Sequence, residues 1–499
     1  MNPSANWWEL EGVEVDLSRL KGMEIRQKID FIQDFYRKGL FAPDVEPYNG
    51  IAFCMRKIDC RDGAGNYIRP LRPGDYDYPG AIFPKFEAYG ELGPKNTYEY
   101  WTNENSITTS GLYLASQCYR YEATGDKDAL EEAAKAFNSV CSIYALHSGV
   151  VFENPGYPPH FIGRDATGFM SKPFGFRLSS QTSGDQYLHV TWGLLKYHGH
   201  AEPAAKKKIE TMIISFADFW KRVDYRLGYF GVDWSMAGDT GSYNAIMCML
   251  QAAAYHFTSD RKYLDEAAKW YGRAEWKNPE ANLIWTGGQE DFYREMVTPP
   301  IAQDESLWWE GPIHIQFVMV SAYYINIFTD LIKDDESTDM NRLARNWFNL
   351  WPVSVPLEGG DAYAPYYYFL IKRDGSMKWR PTGRTETLPE EQWLFNDPAF
   401  SRLSEFRWNE PLSRFVTAAA LMHPFMDEDG KRKTKEIVLG ILNALDGLRL
   451  HWIYDFGNVN EPSTRELHPG IHYLYNYLSS EAPSAYMIAY WLAKENGYV

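Results

Sequence analysis

Residues 124–137 (TGDKDALEEAAKAF) and residues 258–271 (TSDRKYLDEAAKWY) are two versions of one segment. Thr, Asp, Leu, Glu, Ala, Ala and Lys coincide, and the last position is aromatic in both. Each copy opens on a bend-forming Thr-x-Asp and continues with apolar residues at helical spacing beneath a charged face. Each also follows a helix-like stretch rich in small and aromatic residues. A weaker copy, residues 200–220 (HAEPAAKKKIETMIISFADFW), follows a third such stretch. Self-similarity of this kind signals stacked supersecondary units.

Working outward from the repeat, the chain resolves into pairs. Helices with little charge start near Asn103, Gly184, Gly241, Ser306, Asn409 and Ala482. More charged helices run over residues 22–38, 127–145, 204–223, 262–273, 340–350 and 433–445. A helix that is apolar nearly all round is buried, and one with a charged face lies outside. Six inner and six outer helices in alternation predict an all-α fold, an (α/α)6 toroid, formed by residues 1–499 as a single domain. A loop-rich extension precedes it. Three insertions, near residues 148–182, 352–407 and 450–480, are long, aromatic and charged. Loops of that length inside a compact domain are usually functional, so they are expected over the cavity mouth. The second contains YAPYYYFLIKRDGSMKWRP (residues 363–381), an alternating β-hairpin turning at Asp374-Gly375.

Composition narrows the function. The 499 residues carry a net charge of −16, which argues against nucleic acid or an anionic membrane as a main partner. Aromatic content is 16%, with 18 Trp and 35 Tyr, the flat apolar platforms that sugar-binding clefts use and that large helical cores also use. Of the five cysteines, Cys118, Cys141 and Cys248 fall in helical apolar contexts and read as buried thiols, while Cys54 and Cys60 are near enough to pair. No Cys/His metal spacing or phosphate-binding Gly-rich loop occurs, so neither metal nor cofactor is expected. No apolar run is long enough to span a membrane. The opening residues lack a basic, apolar signal segment, which points to the cytoplasm, or to a secreted protein with its signal removed.

Carboxylates recur where the inner helices begin. Glu104 opens the first, Asp185 the second, and Asp239 precedes the third. Glu310, with Asp304 and Glu305, flanks the fourth; Glu410 opens the fifth and Glu481 the last. Each alone suits a helix N-terminus, where the macrodipole favours an anion. In a toroid they would converge on one funnel. Glycosidic hydrolysis needs such a set: one protonated carboxyl to donate to the leaving oxygen, and a second, ionised, to activate water or attack carbon. Aromatic residues interleave with them, Trp234 before Asp239, Trp308 and Trp309 before Glu310, Trp408 before Glu410. His189 and His314 follow about one turn inside. Arg164 and Arg177, with Lys172, mark the loop before Asp185 and are natural partners for a uronate carboxylate. The site is therefore expected to hold Asp185, Glu104, Glu310 and His189 as catalytic groups. Arg177, Arg164, Trp234, Asp239, Trp308, Trp309, His314, Trp408 and Glu410 are expected to bind substrate.

The polar turn and helix SSQTSGDQYLHVTWGLL (residues 179–195) resembles the S-x-DQY run found on an inner helix of several α/α toroid proteins. Together with the helix alternation over residues 20–497, it makes the chain similar to the six-hairpin glycosidase superfamily, which includes glucuronyl and unsaturated-uronide hydrolases. The resemblance implies that Asp185 is a catalytic carboxylate or holds the sugar at the reacting subsite. The paired Asp-Asp and W-x-D signatures of some unsaturated-uronide hydrolases are missing, so their hydration mechanism is not implied. The expected function is a glycoside hydrolase acting on a small carbohydrate or oligosaccharide, uronic-acid-containing. Three alternatives stand beside it. One is a β-eliminating polysaccharide lyase using Asn244, His189, Arg177 and Tyr243; the others are an epimerase of the N-acylglucosamine type and a non-catalytic glycan-binding protein. Oligomeric state is left open.

Overall fold

The computed structural model describes residues 20, 22–41, 50, 52, 55–57, 59–61, 67–70, 101–102, 106–149, 170–171, 175–176, 184–229, 232–235, 241–274, 305–308, 311–335, 339–349, 367–372, 377–381, 409–443, 445, 451–455, 474–479 and 481–499. Its core is all-α. In chain order the helices are α1 (Ile25–Gly39), α2 (Ser106–Thr124), α3 (Lys127–Gly149), α4 (Gly184–His198), α5 (Pro203–Arg222) and α6 (Gly241–Thr258). They continue as α7 (Arg261–Tyr271), α8 (Gly311–Phe328), α9 (Met340–Asn349), α10 (Asn409–Met422), α11 (Glu428–Asn443) and α12 (Glu481–Glu495).

Among the described side chains, the even-numbered helices are buried round most of their length. Every residue from Ser106 to Tyr119 in α2 is buried, as is every residue from Glu481 to Ala493 in α12. A helix buried round its whole circumference has neighbours on every face. The odd-numbered helices bury one stripe: in α7 it is Tyr263, Ala267 and Trp270, spaced as a single helical face requires. Packing follows chain order: α2 lies on α4, α4 on α6, α6 on α8, α8 on α10, α10 on α12, and α12 back on α2. Each odd helix packs against an even one beside it in sequence, and α1 packs on α12. Lys28 of α1 further joins the two ends of the chain, its buried ammonium donating to the carbonyls of Asn443 and Leu445 at the end of α11, where a helix C-terminus favours a cation.

The repeat is real at the level of single hydrogen bonds. Thr124 Oγ1 donates to the Arg120 carbonyl (2.6 Å) and accepts from the Asp126 N–H (3.1 Å). Thr258 does the same with Ala254 (2.8 Å) and Asp260 (3.1 Å). Asp126 and Asp260 then accept from the N–H two residues on, at 3.0 Å in both copies, and so cap α3 and α7. The residue between Thr and Asp is left-handed in each, Gly125 at φ +70 and Ser259 at φ 55. Further along, Glu132 accepts from Lys135 (2.6 Å) and the Tyr113 hydroxyl (3.1 Å). Glu266 accepts from Lys269 (3.0 Å) and the Tyr225 hydroxyl (3.0 Å). The shared Glu-x-x-Lys thus fastens each copy to a buried tyrosine.

Two helix starts differ from the sequence expectation. Helix α8 begins at Gly311, not near Ser306. Glu305–Trp308 is a strand paired with Tyr367–Lys372, and Pro312 sits in the first turn, where a missing N–H costs nothing. Helix α11 begins at Glu428, before residue 433, because Glu428 and Asp429 occupy its first turn and complement the helix dipole.

Tight turns follow α2 and α6, as from Thr258 to Arg261, and the long segments precede the even helices. Short antiparallel strands lie in those long segments. Trp101–Thr102 leads into α2, Val232–Ser235 into α6, Glu305–Trp308 into α8 and Leu474–Ser479 into α12. Tyr367–Lys372 pairs with Met377–Pro381. Cys118 and Cys248 are buried and Cys141 partly so. Burial raises all three thiols, Cys141 to about 11, so they are inert at neutral pH.

Candidate functional site

Helix α4 meets its neighbours without room for side chains at two glycines. A Cβ on Gly111 of α2 would lie 2.3 Å from the His189 carbonyl oxygen, and one on Gly193 would lie 2.4 Å from the Gly111 carbonyl oxygen. The two backbones are in direct contact there. At the start of α4, a Cβ on Gly184 would lie 2.4 Å from the Tyr243 ring of α6. Helix α4 is therefore pressed by α6 at its first turn, which carries the half-buried Asp185, and by α2 further along, at His189 to Gly193.

One turn further in lies a buried polar cluster. His189 of α4, Gln316 of α8 and Arg414 of α10 are wholly enclosed, and Glu481 of α12 is nearly so. Each of the first three is the sixth residue of its helix, and Glu481 is the first of α12. His189 Nε2 is 2.9 Å from Gln316 Oε1 and 2.8 Å from Arg414 Nη1. Arg414 Nη2 donates to Glu481 Oε2 at 2.8 Å. Three helices distant in sequence thus bring the same depth to one point, where the first residue of α12 joins them. Burial and the neighbouring Arg414 cation hold His189 well below the usual imidazole range, against the opposing pull of Gln316 and the Asp185 main-chain carbonyl; the ring is neutral at physiological pH. Further along α4, Trp192 Nε1 donates to the Tyr119 hydroxyl (3.3 Å).

Of the residues expected to form the site, Asp185 and His189 stand within one turn of each other on α4. Glu410 is the second residue of α10 and His314 the fourth of α8. Trp234 lies in the strand Val232–Ser235 and Trp308 in the strand Glu305–Trp308. Glu104, Glu310, Asp239, Trp309, Trp408, Arg164, Arg177 and Lys172 lie outside the described residues. Asn244, the amide considered for a lyase, is buried and donates to the Arg273 carbonyl at 3.1 Å. Arg414 and Gln316 were not anticipated. The available signal was a lone cation in the otherwise uncharged run SRFVTAAALM (residues 413–422) of an enclosed helix, where an unpaired charge would be very costly.

Among the described residues no group of three His, Cys, Asp or Glu side chains could hold a metal ion, and no helix is long and apolar enough to cross a membrane. No protein-family model and no curated protein sequence matches the chain.

Proposed function

We propose that the chain is a glycoside hydrolase, a single (α/α)6 toroid whose even-numbered helices form the inner ring. Its substrate is a carbohydrate containing uronic acid. The observation that carries the reading is the meeting of His189, Gln316, Arg414 and Glu481. Their meeting supports a ring in which the front ends of α4, α8, α10 and α12 surround a common space. Those front ends carry Asp185, Glu410 and Glu481, and residues just ahead of α2 and α8 supply Glu104 and Glu310. Because Glu481 is bound by Arg414, it serves structure, and the reacting carboxylates are Asp185 with Glu104 or Glu310.

In this arrangement one carboxyl donates its proton to the glycosidic oxygen while the other, ionised, activates water or attacks the anomeric carbon. Arg164 and Arg177 pair with the uronate. Trp234, Trp308, Trp309 and Trp408 stack on sugar rings, and the hairpin of residues 363–381 covers the mouth.

The test is a panel of uronide and neutral glycans, followed by reducing ends and by ultraviolet absorbance. New reducing ends without absorbance are expected from the wild-type protein and not from folded Asp185→Asn. An absorbing unsaturated product would replace this reading with a lyase. Full turnover by Asp185→Asn would remove Asp185 from the reaction.

A further inference from the structure

We propose that Arg414 is a positioning residue, which fixes the tautomer of His189 and through it holds the front turn of α4, with Asp185, against α10 and α12. What that turn is used for rests on the glycosidase reading; the positioning itself does not.

His189 Nε2 has a single in-plane position for a proton or a lone pair, yet two groups address it, Gln316 Oε1 at 2.9 Å and Arg414 Nη1 at 2.8 Å. A bond to Gln316 Oε1 needs the proton on Nε2, and a bond from Arg414 needs a lone pair there. The guanidinium never gives up its protons, and a charge-assisted hydrogen bond is about twice as strong as a neutral one. The lone pair therefore faces Arg414, and the proton of the neutral ring sits on Nδ1.

Nδ1 is buried with no hydrogen-bond partner, so the tautomer is set at Nε2. His189 lies one turn below Asp185 on α4, and the bond from Arg414 holds that part of α4 to α10. The other side of Arg414 is held by Glu481, the first residue of α12. The guanidinium consequently ties the starts of α4 and α12 to the second turn of α10, at the depth where Gly111 of α2 touches the His189 main chain. This makes Arg414 a spacer between the reacting turn and the floor beneath it, acting through His189 without touching the sugar.

Removing Arg414 alone breaks a buried ion pair and endangers folding, so the test replaces both with Arg414→Met/Glu481→Met; exchange of a buried ion pair for apolar groups of similar size is commonly neutral or stabilising. Nitrogen chemical shifts of 15N-labelled His189, assigned by difference from His189→Gln, should report a neutral Nδ1–H ring in the wild type. The double variant should give an Nε2–H ring donating to Gln316, and Gln316→Leu should keep the wild-type tautomer. On whichever glycan the wild type cleaves, the double variant should lose at least about tenfold in kcat with KM changed by less than about twofold, since only the geometry of the reacting turn is altered. An unchanged Nδ1–H ring in the double variant, a ring that switches in Gln316→Leu, or a switched ring with undiminished kcat would each overturn the proposal. Absence of turnover in the wild type would count against the glycosidase reading and leave the tautomer result to decide this one.

Discussion

Gly111→Ala should loosen the contact between α2 and α4 more than any other single methyl group added at a described glycine of these helices. The new Cβ would sit 2.3 Å from the His189 oxygen, 2.5 Å from its carbonyl carbon and 2.7 Å from the Val190 Cα. Every one of these atoms is backbone, so no rotamer change relieves the clash, and α4 must retreat by about 1 Å to restore ordinary contact. Overpacking in a close-packed interior costs about 1–3 kcal/mol and occasionally more. Without a side chain to yield, the upper end applies, about 3 kcal/mol. Alanine returns about 1 kcal/mol through better helix propensity, leaving a net loss of about 2 kcal/mol. The retreat would also pull His189 from Arg414, so the lost contact at the polar cluster adds to that figure. The matched control is Gly272→Ala. It lies at the end of α7 with right-handed φ −65, and its Cβ would be 3.6 Å from the nearest atom; a gain of about 0.4–1 kcal/mol is expected there. Equilibrium urea unfolding followed by circular dichroism gives both values. A Gly111→Ala protein as stable as the wild type, beside a Gly272→Ala protein that behaves as expected, would refute the close approach of the two backbones.

Other expectations follow from the same contacts. Ser259→Gly should stabilise by about 1 kcal/mol, because Ser259 holds φ 55 where the first repeat has Gly125, and Gly125→Ser should lose a similar amount; thermal unfolding of the reciprocal pair checks both. Arg414→Ala should destabilise by about 3–5 kcal/mol by removing one partner of the buried pair with Glu481, read in the same urea titration, and a loss under about 1 kcal/mol would contradict the ion pair. His189 is held below the usual imidazole range, so the unfolded chain takes up a proton below about pH 6.5 while the folded one does not. Stability is therefore intact above that pH and declines as pH falls, by up to about 1.4 kcal/mol per unit for this group. His189→Gln should remove that part of the slope and leave the smaller contributions of His256 and His423, which partial burial also lowers.

The helical frame could be read from the chain because its cause is local and repeated. Thr-x-Asp turns, small-residue helices and one-faced charged helices announce themselves within a few residues, and the repeat of residues 124–137 at 258–271 reappears as matching hydrogen bonds. Helix ends were legible where a cap or a left-handed residue stops the helix, as at Thr124 and Thr258. They were less so at α8, where the alternation of Glu305–Trp308 belongs to a strand whose partner lies far along the chain. The polar cluster was half legible. Asp185 and His189 share one helix and a recognisable spacing, but Gln316, Arg414 and Glu481 join them only through packing of helices separated by more than sixty residues. Gly111 and Gly193 give no sign in sequence that they touch, since a glycine in a helix otherwise reads as weakness.

The most direct measurement of the central claim is a crystal structure of Asp185→Asn with an uncleaved uronide oligosaccharide. The scissile bond is expected between residue 185 and Glu104 or Glu310, above the layer of His189 and Arg414. A sugar bound elsewhere on the protein, or front ends of α4, α8 and α10 that enclose no common space, would contradict it.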